Sequence, residues 1–241
     1  MTGTIKKTLL MLALLVAPRV LGDEINVAIA SNFSSVSPPI GELFFETTGH
    51  RAVFSYGSTG KLYAQIVNGA PFHVFLAADS ARPELLARNQ TAISDTRFTY
   101  AIGQIVLWST TIEFDSPEIL KSDINHIAMA NEKLAPYGQA AKQFLSGVGL
   151  WDRLQRKIVR GENVSQALQF VESGAAGIGL VSLSQVQFRT GNVYAIPADQ
   201  HAPIAQQAVL LADTPAARAF FTLLRSEAGR QVIKKHGYLV P

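Results

Sequence analysis

The sequence contains no cysteine. This excludes disulfides, iron–sulfur clusters, thiolate zinc sites and a cysteine nucleophile, and it removes the lipid-modified cysteine that could tether an exported chain. Charge is also scarce, with Asp, Glu, Lys and Arg making up 16% of residues against 48% hydrophobic ones. No apolar run reaches the roughly twenty residues needed to span a bilayer. The longest, Thr8 to Ala17, is about ten residues, follows Lys6 and Lys7, and leads to Val20-Leu21-Gly22 before Asp23, which is the pattern of a secretory signal peptide over residues 1–22. Its removal takes Lys6, Lys7 and Arg19 from the 21 basic residues and none of the 18 acidic ones, so the formal charge of +3 falls to zero. A nucleic-acid partner would require a retained basic surface. The short group Arg153, Arg156, Lys157 and Arg160 reads instead as a solvated helix end and strand start. With neither lipid nor membrane anchor, such a chain is held near its cell by an outer membrane, so the expected location is a Gram-negative periplasm, with release to the medium as the alternative.

The remaining residues, 23–241, alternate between buried-strand and helical patterns. Ile25–Ala30, Ala52–Tyr56 and His73–Asp79 are each followed by a helical stretch. The rhythm repeats with His126–Asn131, a long helix from about Tyr137 to Leu154, Lys157–Arg160, a helix over Val164–Glu172, and Ile178–Ser182. This is the signature of an α/β fold with mostly parallel sheets flanked by helices. Arg97–Ser109 is long for one strand, and a second extended segment, Pro203–Ala212, comes after the second half is complete. Two such segments bracketing one βα half are what a chain needs to leave a first lobe, build a second and return. The expected organisation is a first lobe over 23–98, a second over 99–202, and a return strand with C-terminal helices over 203–241. A single doubly wound domain is the alternative. Pro38-Pro39 places the first helix start near Ser37, because proline is tolerated in a first turn and not deeper.

In open α/β sheets ligands gather beyond the carboxyl ends of strands, where loops enter helix N-termini. Here those loops carry Ser31-Asn32, Gly57-Ser58-Thr59-Gly60, Ala135-Pro136-Tyr137-Gly138, Gly161-Glu162-Asn163-Val164 and Ser182. Hydroxyls, amides and small residues at helix starts suit an anion, because first-turn N–H groups lack intrahelical acceptors and the helix dipole favours negative charge there. The same residue types also serve as ordinary N-caps. Gly57–Lys61 is too short for a phosphate-binding P-loop and has Leu62 where the magnesium hydroxyl belongs. It also lacks the Gly-x-Ser-x-Gly spacing of a hydrolase elbow. Lys61 is expected to point to solvent. His50, His73, His126, His201 and His236 stand alone without ligand spacing, and Asp79 and Asp95 have no partner carboxylate. No cofactor, metal cation or catalytic centre is expected.

The stretches Ala30–Phe33, Tyr56–Asp79, Arg97–Ser109, Ala135–Gly138 and His236–Tyr238 together resemble the periplasmic molybdate-binding proteins, the solute receptors of molybdate ABC transporters. The resemblance runs over nearly all of residues 23–241, and Asn68-Gly69-Ala70-Pro71 followed by a strand and Ala77-Ala78-Asp79 is its most specific part. It implies a two-lobed type II periplasmic binding protein fold, joined by two hinge strands, that closes on one tetrahedral oxyanion, molybdate or tungstate, and delivers it to a membrane permease as a monomer. By motif it places Ser31, Asn32, Ser58 and Thr59 at the anion from the first lobe, with Tyr137 and Val164 donating backbone N–H groups from the second. Some members use a tyrosine hydroxyl where this chain has Ser182. Serine is too short for that reach, and Asn32 can supply the missing donor, as in an Asn-containing branch of the family. The alternatives are a receptor for sulfate or a small organic anion, and an exported phosphate-ester or nucleotide enzyme.

Overall fold

The computed structural model describes residues 22–241. The signal peptide expected over 1–22 lies, apart from Gly22, outside the described residues.

The chain builds two five-stranded sheets rather than one. The elements of the first are β1 (Glu24–Ala30), α1 (Ser37–Thr48), β2 (Arg51–Gly57), α2 (Thr59–Val67), β3 (Val74–Leu76), α3 (Ala81–Arg88) and β4 (Phe98–Gly103). Those of the second are β5 (Ile105–Ser109), β6 (Ile127–Ala130), α4 (Pro136–Gly147), α5 (Trp151–Leu154), β7 (Ile158–Gly161), α6 (Val164–Glu172), β8 (Ile178–Ser182), α7 (Leu183–Val186) and β9 (Asn192–Ala195). The chain then returns to the first body with β10 (Ile204–Leu210), α8 (Pro215–Arg225) and α9 (Glu227–Lys235).

Strand order is β2-β1-β3-β10-β4 in one sheet and β7-β6-β8-β5-β9 in the other. In each, one strand runs antiparallel to both neighbours, β10 in the first and β5 in the second. Each of these is the strand that arrives from the other sheet, so the two bodies are built on one plan. Arg97–Ser109 is not one strand, because β4 pairs in the first sheet and β5 in the second, and the polypeptide crosses at Gln104. This is later than the boundary expected at residue 98. The return crossing lies between β9 and β10.

Local chemistry explains the element ends. Pro38 and Pro39 fill the first turn of α1, and Gly49 closes it in a left-handed conformation with φ 76°. The helix expected over Tyr137–Leu154 is two, because Gly149 takes φ 72° and breaks the run after α4.

Each sheet carries its own core. Ile25, Val27, Ile29, Phe33, Phe44 and Phe220 belong to the first, and Trp108, Met129, Phe144, Leu168 and Leu180 to the second, all buried. Burying a side chain of this size contributes about 1.5–3 kcal/mol, so each lobe holds its strand ends, and the loops upon them, on a packed base.

Candidate functional site

The carboxyl ends of β1, β2, β6 and β7 open into loops that lead to helix starts, and the two lobes bring those loops face to face. Between them lies a small chamber walled by both lobes. The chamber is far too small for a nucleotide.

Ser31, Asn32, Ser58, Thr59, Tyr137 and Val164 all line this chamber, together with Ala30, Gly57, Ala78, Ala135, Pro136 and Asn163. None of these twelve carries a formal charge. Three helix N-termini point inward: Thr59 is the first residue of α2, Tyr137 the second of α4 and Val164 the first of α6. Their first-turn N–H groups have no acceptor within their own helices.

The cap residues have a second effect on the chamber. Ser58 Oγ accepts from Lys61 N at 3.4 Å, Asn163 Oδ1 accepts from Gln166 N at 3.1 Å, and Thr59 Oγ1 accepts from Ala78 N at 3.1 Å. A hydroxyl with a lone pair engaged by an amide still has its proton to give. The hydroxyl protons of Ser58 and Thr59 thus remain to be given, beside the first-turn N–H groups that no cap engages. Glycine permits the close approach of α4, since a Cβ on Gly138 would lie 2.3 Å from Ala130 O.

Ser182 is not brought to the chamber. Its side chain is fully buried, and its Oγ lies 2.7 Å from Ser184 Oγ. Its hydroxyl is engaged by the neighbouring Ser184. It joins a buried network below the chamber that the sequence reading did not assign. Asn32 Nδ2 donates to Gln206 Oε1 and to Tyr238 OH, both at 2.8 Å. Ser184 Oγ lies 2.8 Å from Asn32 O, and Tyr238 OH donates to the same carbonyl at 2.9 Å. Burial, followed by the electrostatic influence of nearby groups, pushes the Tyr100 and Tyr137 phenols well above the ordinary tyrosine value; burial also raises that of Tyr238. All three remain neutral donors at physiological pH. The only local hint is the amide pair Gln206-Gln207 within the stretch Ile204–Leu210, which does not say which of the two turns inward or to what partner.

Around the chamber the lobes are joined. Gly60 N donates to Leu134 O at 3.0 Å, Ser165 Oγ to Ser31 O at 3.0 Å, and Ser35 Oγ to Ser184 O at 2.8 Å. Lys61, expected to point to solvent, stays at the surface but reaches across the cleft to Glu162 with Nζ···Oε2 2.9 Å. These bonds describe a closed arrangement. Among the described residues no group of three or more His, Asp or Glu side chains could hold a metal ion, and no helix is long and apolar enough to cross a membrane.

Comparison with known proteins agrees with this geometry. Residues 25–239 match the family model for bacterial extracellular solute-binding proteins. A molybdate-binding protein of Azotobacter vinelandii is 42% identical over 225 residues, 89% of each chain. One from Rhodobacter capsulatus is 40% identical over 90% of this chain and 88% of its own. The solved structure of a periplasmic molybdate-binding protein of Azotobacter vinelandii superposes with a TM-score of 0.85 at 38% identity, covering 90% of this chain and 99% of that one. These relatives are solute-binding proteins, not enzymes. With its paired lobes, its chamber of donors and these relatives, the chain belongs to the molybdate-binding proteins within the bacterial extracellular solute-binding protein family.

Proposed function

We propose that this protein captures molybdate, and tungstate with it, between its two lobes and presents the anion to the permease of an ABC transporter. It acts as a monomer in the periplasm once residues 1–22 are removed. Ser31, Ser58, Thr59, Tyr137 and Val164 hold the anion, and Asn32 joins them through its backbone N–H, because both protons of its side-chain amide are taken by Gln206 and Tyr238. Ser182 takes no part in direct contact.

The observation that carries this reading is that three helix N-termini and the hydroxyls of Ser31, Ser58 and Thr59 line a chamber without a formal charge. Each hydrogen bond to a charged acceptor contributes about 1.5–3 kcal/mol, and the three helix ends add a favourable field. Several such bonds hold a dianion without a salt bridge. A fully deprotonated tetrahedral oxyanion presents only acceptors to such a wall. Phosphate that retains a proton presents a donor to a wall of donors and leaves it unpaired, at about 1–3 kcal/mol. Sulfate matches molybdate in charge and shape, so discrimination against it falls to the size of the chamber. The named ligands of the relatives at 42% and 40% identity support molybdate as the anion of matching size.

Because donors from the two lobes meet only when the cleft is shut, binding stabilises the closed form. A crystal grown with molybdate is expected to show one anomalous metal peak in the chamber, within hydrogen-bond reach of the Tyr137 and Val164 amides. A peak elsewhere, or none, refutes the assignment.

A further inference from the structure

We propose that Gln206, which lies outside the chamber, is a positioning residue that ties the anion-holding walls of the two lobes to each other. The inference rests on the reading of the chamber as an oxyanion site.

Gln206 is fully buried on the returning strand β10, at the point where the pairing register with β4 shifts between Gln206 and Gln207. A buried carboxamide must be paired or it destabilises the fold, and this one is paired to both lobes. Its Oε1 accepts from Asn32 Nδ2 at 2.8 Å and lies 3.0 Å from Tyr100 OH. Its Nε2 donates to Tyr137 OH at 3.3 Å. Asn32 and Tyr100 belong to the first lobe, whereas Tyr137 stands at the N-terminus of α4 in the second. Asn32 and Tyr137 both line the chamber.

Tyr137 thus has two separate jobs. Its backbone N–H faces the anion, and its ring runs back to the crossing strands, where the hydroxyl meets Gln206. The space for that meeting is kept by Gly103, the last residue of β4 before the crossing. A Cβ there would lie 2.2 Å from Tyr137 OH and 2.6 Å from Gln206 Nε2. Gly103 does not have a left-handed φ, so its lack of a side chain answers a packing need rather than a backbone one. The Tyr137–Gln206 bond joins lobe to lobe in the closed arrangement. The same carboxamide that donates this bond through Nε2 fixes Asn32 through Oε1, so closing the cleft and setting the chamber's wall are coupled.

The test is calorimetric titration of the mature protein with molybdate, using wild type, Tyr137→Phe, Gln206→Met and the double variant, with melting of each ligand-free form alongside. Tyr137→Phe keeps the chamber amide and removes only the hydroxyl. Tyr137→Phe is expected to weaken binding about tenfold, the usual effect of one hydrogen bond, Gln206→Met at least as much because it also frees Asn32, and the double change no more than Gln206→Met alone, because the Tyr137 tie is already gone. The affinity lost by Tyr137→Phe should exceed what any drop in its ligand-free melting temperature accounts for, since the bond ties the closed walls of the chamber. Gly103→Ala, which forces the two side-chain ends apart, should reproduce the loss should Gln206→Met fold poorly. Independent effects that multiply to about a hundredfold, or a Tyr137→Phe protein that binds as wild type does, overturn the inference while leaving the oxyanion reading intact. A wild-type protein that binds no molybdate overturns that reading and this inference with it.

Discussion

In the proposed reading Thr59, an ordinary helix-start residue, serves as a ligand group. Its Oγ1 receives the Ala78 amide at 3.1 Å, which anchors the hydroxyl and leaves its proton to give. Thr59→Ala should therefore weaken molybdate binding by about 1.5–3 kcal/mol, the contribution of one hydrogen bond to a charged acceptor, while Thr59→Ser, which keeps the hydroxyl, should bind nearly as wild type does. Titration of the two variants side by side checks this, and equal losses in both would assign the effect to packing of the threonine methyl. The loops that bear Ser31, Asn32, Ser58, Thr59, Tyr137 and Val164 were legible in the sequence because each follows an apolar strand and opens a helix. Gln206 and Tyr238 were not, since their bonds to Asn32 span 174 and 206 residues of chain. Nothing local to either residue announces such a partner. Ser182 could be doubted from side-chain length alone, but only its 2.7 Å contact with Ser184 shows where the hydroxyl goes.

The elements present these groups by ending where they do. β6 stops at Ala130 and α4 begins at Pro136, with Gly138 in its first turn packed so closely on the strand end that a Cβ would meet Ala130 O at 2.3 Å and the Asn131 carbonyl carbon at 2.7 Å. Both are backbone atoms and cannot swing aside. Gly138→Ala must push the helix start away from its strand, and overpacking of this kind destabilises by about 1–3 kcal/mol. The variant should melt lower than wild type, and it should lose molybdate affinity as well because Tyr137 N moves with the helix. A drop in melting temperature with full affinity would show that the chamber tolerates displacement of α4. Element ends marked by caps could be read in advance: α6 spans Val164–Glu172 and β8 Ile178–Ser182, as their apolar runs and flanking residues imply. The crossing at Gln104 could not be read, because extended backbone continues on both sides of it and a change of sheet leaves no mark on residue alternation.

At the scale of the whole molecule, the two sheets share one strand plan and meet across the chamber, so the energy of binding is also the energy of closure. Lys61 and Glu162 join the lobes at the rim, with side chains 53% and 41% exposed. An exposed pair of this kind contributes about 0.2–1 kcal/mol and is screened by salt. Lys61→Ala should therefore reduce molybdate affinity by less than about 1 kcal/mol at low ionic strength, and the difference should vanish in high salt. A large, salt-independent loss would mean that a full positive charge takes part in holding the anion. The central claim is that a cleft walled by uncharged donors closes on one fully deprotonated tetrahedral oxyanion. Thermal unfolding of the mature protein with molybdate, tungstate, sulfate, phosphate and magnesium ATP tests it most directly, since a ligand at 100 times its dissociation constant stabilises the native state by about 2.7 kcal/mol. Saturable stabilisation by molybdate and tungstate, with little from sulfate, phosphate or ATP, is the predicted result; stabilisation by phosphate or magnesium ATP without a response to molybdate would contradict it.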